Sequence, residues 1–132
     1  MKTIVLDTDI LIDSVNGFAP WLIKFRNKKG LRFIIPTIVV AEYFTSQEVE
    51  TKGGRKKSEE FIALFTKQDL TEEIAHELGK ILRRKTYVPG VGLGDLIIAA
   101  TALYLDAELA TRNRKDFAKI PSLRFFDPKS LD

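Results

Sequence analysis

The sequence predicts an α/β fold: a central, mostly parallel sheet of four or five strands flanked by helices on both faces, with residues 1–132 forming one domain. Three observations predict it. Short apolar runs rich in β-branched residues recur along the chain, and segments of helical periodicity separate them. No linker or internal repeat interrupts the series. The hydrophobic content, 45% of 132 residues, is enough to bury a single core.

Taken in order, Thr3-Ile4-Val5-Leu6 reads as a buried strand with Asp7 at its C-terminal end. Ile10 to Ser14 begins a helix that Asn16-Gly17 breaks. Pro20 opens a second helix, expected to run to Gly30, with Ala19, Leu22, Ile23 and Arg26 on one face. Arg32-Phe33-Ile34-Ile35 is a second strand, closed by Pro36, and Thr37 stands where it would cap the helix that follows. Lys52 to Lys57 reads as an exposed loop, and a helix is expected from about Ser58 to Lys67. Thr71 caps another helix, with Glu72 and Glu73 in its first turn, where the helix dipole favours them. Pro89 to Gly94 is a glycine-rich connection. It leads into Leu96 to Leu105, apolar almost all round and therefore central. Glu108 to Thr111 is a third strand and Leu123 to Phe126 a fourth.

Composition narrows the chemistry. No cysteine is present, which excludes disulfides and thiolate metal sites, and the single histidine, His76, excludes any site built from several imidazoles. A metal bound here would have oxygen ligands. The longest apolar run is too short to span a bilayer, and Asp7 interrupts the first apolar stretch too early for a secretion signal. A soluble, cytoplasmic protein with no membrane partner is the expectation. The net charge of +3 is compatible with an anionic partner.

Four acids stand out. Asp7 follows a strand; Asp116 lies a few residues past another; Asp95 begins the buried helix; and Glu42 interrupts the apolar segment Ile38 to Phe44. In an open α/β sheet ligands bind beyond the carboxyl ends of the strands. Clustered carboxylates repel one another and their pKa values rise, a penalty that a divalent cation removes. A cation so held polarises a phosphate and lowers the pKa of a bound water, the requirements of phosphodiester hydrolysis. Each acid also has an ordinary alternative. Asp7 suits a turn, Asp95 a helix cap, Asp116 a solvated loop, and Glu42 an ion pair with a lysine.

The four local contexts together resemble the motifs of the PIN domain family, and within it the toxins of VapBC-type toxin–antitoxin pairs. Ile4 to Asp13 resembles the first motif with its acid at Asp7, and Pro36 to Glu42 the second. Gly94 to Ala102 resembles the third, and Leu109 to Phe117 the fourth. The resemblance implies a PIN-like sheet, dependence on magnesium or manganese, cleavage of RNA, a homodimer, and silencing by a cognate antitoxin. By the same resemblance Asp7, Asp95 and Asp116 are metal ligands. Glu42 holds a second metal, binds through water, or orients the attacking water. Thr8, Thr111 and Asn113 support the site. Two positions depart from the pattern. Asp9 stands where Asn or Ser is common and is read as a helix cap, and Gly94 stands where some members carry Ser or Thr.

Arg112, Arg114 and Arg84 are candidate RNA contacts. His76 and the aromatics Trp21, Phe25, Tyr43, Phe61 and Phe65 are assigned to surface and to packing respectively. Two other functions share features of this reading. One is a PIN-domain nuclease in housekeeping RNA processing. The other is a receiver-like signalling module, which also uses acids at strand ends but leaves the placement of Asp95 and Asp116 unexplained.

Overall fold

The computed structural model describes residues 1–131. Its sheet has five strands, all parallel: β1 (Lys2–Leu6), β2 (Leu31–Pro36), β3 (Thr66–Gln68), β4 (Glu108–Ala110) and β5 (Arg124–Phe125), in the order β3-β2-β1-β4-β5. The helices among the described residues are α1 (Thr8–Val15), α2 (Pro20–Lys24), α3 (Thr37–Ser46), α4 (Lys52–Ile62), α5 (Glu72–Arg84) and α6 (Leu93–Tyr104). Two 3-10 turns, Arg114–Phe117 and Pro128–Leu131, follow β4 and β5. The chain moves outward from β1 to β3, then returns to lay β4 on the other side of β1. Right-handed crossovers in these two directions put the connecting helices on opposite faces. The reversal makes the β1/β4 boundary the switch point of the sheet.

The three inner strands, β2, β1 and β4, are buried on both faces. Ile4, Val5, Leu6, Ile34, Ile35 and Leu109 are all within 1% of complete burial, as an all-parallel sheet requires. Helix α6 is central, as its composition predicts: Ile98, Ala99, Ala100 and Ala102 are fully buried. The one buried hydroxyl on it, Thr101, donates to the Ile97 carbonyl at 2.8 Å. Small residues on this helix let it lie close to the sheet, and α5 packs alongside it through Ile74, Leu78 and Ile81.

Several local expectations are corrected. Residues 66–68 form β3, an exposed edge strand, so the helix expected over Ser58–Lys67 ends at Ile62. That helix also starts earlier, at Lys52, despite two glycines in its first turn. Thr51 supplies the cap that the glycines do not oppose, its hydroxyl oxygen accepting from Gly54 N–H at 3.0 Å. Helix α2 stops at Lys24, and the chain reaches β2 through turns that end at Gly30, whose φ of 87° suits glycine. Thr37 is the first helical residue of α3 and caps nothing; Pro36 is its N-cap.

Candidate active site

Strand pairing brings the first acid to the switch point. Leu6 pairs with Ala110, and the backbone N–H of Asp7 continues the ladder by donating to the Ala110 carbonyl at 3.0 Å. Asp7 is then the N-cap of α1, its Oδ1 accepting from Thr8 N–H at 2.7 Å, and its Oδ2 accepts from the Thr111 hydroxyl at 2.7 Å. The residue is only 5% exposed, and the pKa of its carboxyl is pushed up to about 6. Burial is the main cause and the neighbouring charge of Asp9 the next, while the donors Thr111 and Thr8 offset part of the rise.

Asp95 is the third residue of α6, whose N-cap is Gly92, so it is not the cap of its helix. Its place in the first turn sets the carboxylate at the positive end of the helix dipole. The pKa is nevertheless raised to about 6, first by burial and then by the charges of Asp7, Glu42 and Asp116 in that order. Those three acids come from the junction of β1 and α1, from α3 and from the 3-10 turn after β4. Four carboxylates separated along the chain thus act on one another across a single region.

Glu42 solves the problem of a charge in an apolar helix without a lysine. Its Oε1 accepts from the Thr8 hydroxyl at 2.7 Å. Its Oε2 occupies space beside Gly94, where a β-carbon would lie 2.9 Å away. The missing side chain at Gly94 therefore lets α6 approach α3 at the carboxylate itself. Asp116 sits in the 3-10 turn Arg114–Phe117, anchored by the buried ring of Phe117 and by its own N–H, which donates to the Asn113 carbonyl at 3.0 Å.

Asp9 belongs to this arrangement in a way the sequence did not signal. It does not cap α1. Its Oδ2 accepts from Arg112 N–H at 3.1 Å and from Asn113 Nδ2 at 3.3 Å, tying α1 to the loop that carries Asp116. One turn later on α1, Asp13 pairs with Arg112 Nε at 2.8 Å. The two acids are four residues apart, so they share a helix face, and that spacing was the available clue. Asp9 Oδ1 is buried without a partner among the described residues, and burial is the main cause of the raised pKa of this group.

The basic residues singled out from sequence are placed differently from one another. Arg112 is engaged by Asp13. Arg114 donates through Nη2 to the Phe126 carbonyl at 3.1 Å and lies over the Phe125 ring. Arg84 is exposed at the end of α5 and lines a separate pocket with Thr86 and Pro121 that includes none of the four acids. His76 is exposed on α5, while Tyr43 and Phe65 are buried in the core and Trp21, Phe25 and Phe61 pack against it.

A profile of the PIN domain matches residues 4–123. The chain belongs to the PIN domain family. Ribonuclease VapC10 of Mycobacterium tuberculosis is 32% identical to this PIN domain over 125 residues, which cover 92% of this chain and 90% of the relative. Among solved structures, VapBC2 from Rickettsia felis bound to a DNA fragment from its promoter matches with a TM-score of 0.75. Its identity is 26%, and the match covers 94% of this chain and 97% of that one. A toxin–antitoxin complex from Klebsiella pneumoniae matches with a TM-score of 0.70 at 27% identity, covering 94% and 96%.

The donor set of this PIN domain is the right chemistry for a hard divalent cation: carboxylate oxygens, buried at Asp7 and half-buried at the others, and mutually repelling. Among the described residues no three acids already close round a common point. The fit therefore rests on the type of donor and on the charge coupling between the acids.

Proposed function

We propose that the protein is a metal-dependent endoribonuclease, the toxin of a type II toxin–antitoxin pair whose cognate antitoxin holds it in check. The observation that carries this reading is the convergence of four carboxylates from separate segments at the switch point of the sheet, where burial first and then the charges of Asp7, Glu42 and Asp116 raise the pKa of Asp95. The name of the relative, Ribonuclease VapC10, and the toxin–antitoxin complexes among the structural neighbours support it.

Asp7, Asp95 and Asp116 would hold the cation, magnesium or manganese, with Glu42 as a further ligand or as the group that orients water. When bound, such an ion polarises the phosphodiester and acidifies a water molecule. The chain's own contribution is orientation. Thr111 and Thr8 fix both oxygens of Asp7, and the hydroxyl of Thr8 fixes Glu42. None of these donors carries charge, so the site stays anionic. The protein works in the cytoplasm on this reading; no helix among the described residues is long and apolar enough to cross a membrane. The exposed side chains Leu70, Leu82, Leu93 and Tyr104 offer apolar surface for a homodimer.

The test is cleavage of transfer, ribosomal and messenger RNA in vitro with magnesium or manganese, with cut sites mapped. Asp95→Asn should lower the rate by at least about 100-fold, equivalent to about 2.7 kcal/mol of barrier, and chelation should stop cleavage. Cleavage that persists in chelator, or full activity in Asp95→Asn, rejects the proposal. Expression of the chain alone should arrest growth, and unimpaired growth with an active enzyme would point to RNA processing instead.

A further inference from the structure

A cavity of about 620 Å³ lies beside the acids without containing any of the four, between α1, α2 and the carboxyl ends of β4 and β5. That volume is within the range of about 300–1,000 Å³ typical of small-molecule sites. Its walls include Asn16, Phe18, Trp21, Thr111, Arg112 and Arg114. We infer that this cavity is a nucleotide subsite, which takes one unpaired base of a single-stranded RNA next to the phosphate being cleaved. The inference rests on the ribonuclease reading and names the part of the substrate that the acids do not touch.

The position comes first. Thr111 lines the cavity and donates its proton to Asp7, so one residue separates the cavity from the acid cluster. The walls come second. Phe18 is 79% exposed, yet its backbone is fixed: its N–H donates to the Asp13 carbonyl at 2.8 Å, just after Gly17 turns the chain at a φ of 84°. Trp21 is held from behind by the rings of Phe33 and Phe126, with centroids at 6.0 and 5.6 Å. One open ring on an anchored backbone and one braced indole make a stacking platform whose backbone is already ordered.

Charge decides between an RNA base and an apolar peptide side chain. Arg112 and Arg114 each make one polar side-chain contact, to Asp13 and to the Phe126 carbonyl, and keep their other N–H donors. The side-chain amide of Asn16 offers both a donor and an acceptor, as the edge of a base does. A peptide side chain uses the aromatic wall and leaves these groups idle. A strand of RNA uses all of them, its base against Phe18 and Asn16 and its phosphates against the guanidiniums.

The experiment uses the full chain and a short single-stranded RNA that it cuts once, with the nucleotides flanking the cut made abasic one at a time. One abasic position should raise KM about 5- to 100-fold, the effect of losing one base stack. Phe18→Ala should raise KM on the intact RNA by a similar factor, and should add no further penalty on that abasic RNA. Because Phe18 is exposed, this variant keeps its fold. Unchanged KM in Phe18→Ala, or penalties that multiply, overturns the subsite while leaving the ribonuclease reading intact. So does a Phe18→Ala variant that handles RNA normally but whose growth arrest is no longer relieved by co-expressed antitoxin, since the groove then receives protein. If the wild type cuts no RNA, the ribonuclease reading fails by itself. Fluorescence anisotropy with the same RNAs then decides the subsite: discrimination lost in Phe18→Ala upholds it, and equal binding of all RNAs rejects it.

Discussion

Replacing Asp7 by asparagine measures the stability that the site gives up. In the folded chain the carboxyl is raised from the ordinary 3.8 to about 6, mainly by burial. Between those values the folded state keeps a proton that the unfolded state has released. Stability therefore falls as pH rises from about 4 to about 6, and the full loss is present above that window. At 1.36 kcal/mol per pH unit, ionised Asp7 costs the metal-free fold roughly 3 kcal/mol at pH 7. With 5% of the residue exposed, solvent screening removes little of this. Asparagine keeps an acceptor for Thr8 N–H but turns its NH2 toward Thr111, whose hydroxyl must rotate to accept, an exchange worth about 1 kcal/mol. The expected net gain at pH 7 is about 2 kcal/mol, or on the order of 5–10 °C in Tm for a chain of this length. Urea unfolding in chelator at pH 7 and pH 4 reads it: Asp7→Asn should be the more stable at pH 7 and lose its advantage at pH 4. Magnesium should stabilise the wild type alone. An asparagine variant no more stable than the wild type at pH 7, or one with the same gain at both pH values, refutes the account of Asp7 as a buried charge.

Three other substitutions test the supports. Gly94→Ser puts a β-carbon 2.9 Å from Glu42 Oε2, so the carboxylate must swing away from Thr8. RNA cleavage should fall about 3- to 10-fold with the fold retained, and Glu42→Gln should cost less in that background than alone, as a double-mutant cycle of rates will show. Asp9→Ala removes the acceptor for Arg112 N–H and Asn113 Nδ2 and loosens the loop leading to Asp116. The metal concentration needed for half-maximal cleavage should rise by about tenfold, and Asp9→Asn should restore part of it. Lys85 ends α5 in a left-handed conformation with φ 53°, so Lys85→Gly should stabilise the protein by about 0.5–1 kcal/mol without altering cleavage, as denaturant midpoints will show.

The elements that the sequence revealed are those whose burial imposes a pattern. β1, β2 and α6 are apolar because both faces of each are covered, and a run of Ile, Val and Leu or Ala announces that directly. β3 was invisible for the opposite reason. Thr66-Lys67-Gln68 is an exposed three-residue edge strand, joined to the sheet only through β2, and nothing in its side chains alternates. The start of α4 was hidden because Gly53-Gly54 reads as a breaker, whereas the cap on Thr51 makes the turn helical. At the site, Asp7, Glu42 and Asp95 were legible because each stands out against an apolar or glycine-rich neighbourhood, and Asp116 because it follows a strand and the basic run Arg112 to Lys115. The roles of Asp9 and Asp13 were not. Their partners lie about a hundred residues away, and only the return of β4 to the side of β1 makes them neighbours.

That return also explains why the site remains charged. Thr111 reaches Asp7 across 104 positions of sequence because Leu6 pairs with Ala110 one residue earlier. A threonine has one hydroxyl proton, and at 2.7 Å it goes to Asp7, so the 3.5 Å contact from the same hydroxyl to Asp9 is weak. Asp9 is therefore left to hold the loop by accepting from Arg112 N–H and Asn113, and the Arg112 side chain is drawn off to Asp13 on the outer turn of α1. Were that guanidinium released, Asp9, whose pKa its charge already lowers, is the carboxylate that would receive it. The Asp13–Arg112 pair holds that guanidinium on the outer turn of α1 instead. The fold thus retains a buried negative charge that it must tolerate at neutral pH, and that charge is the property a divalent cation requires of the site.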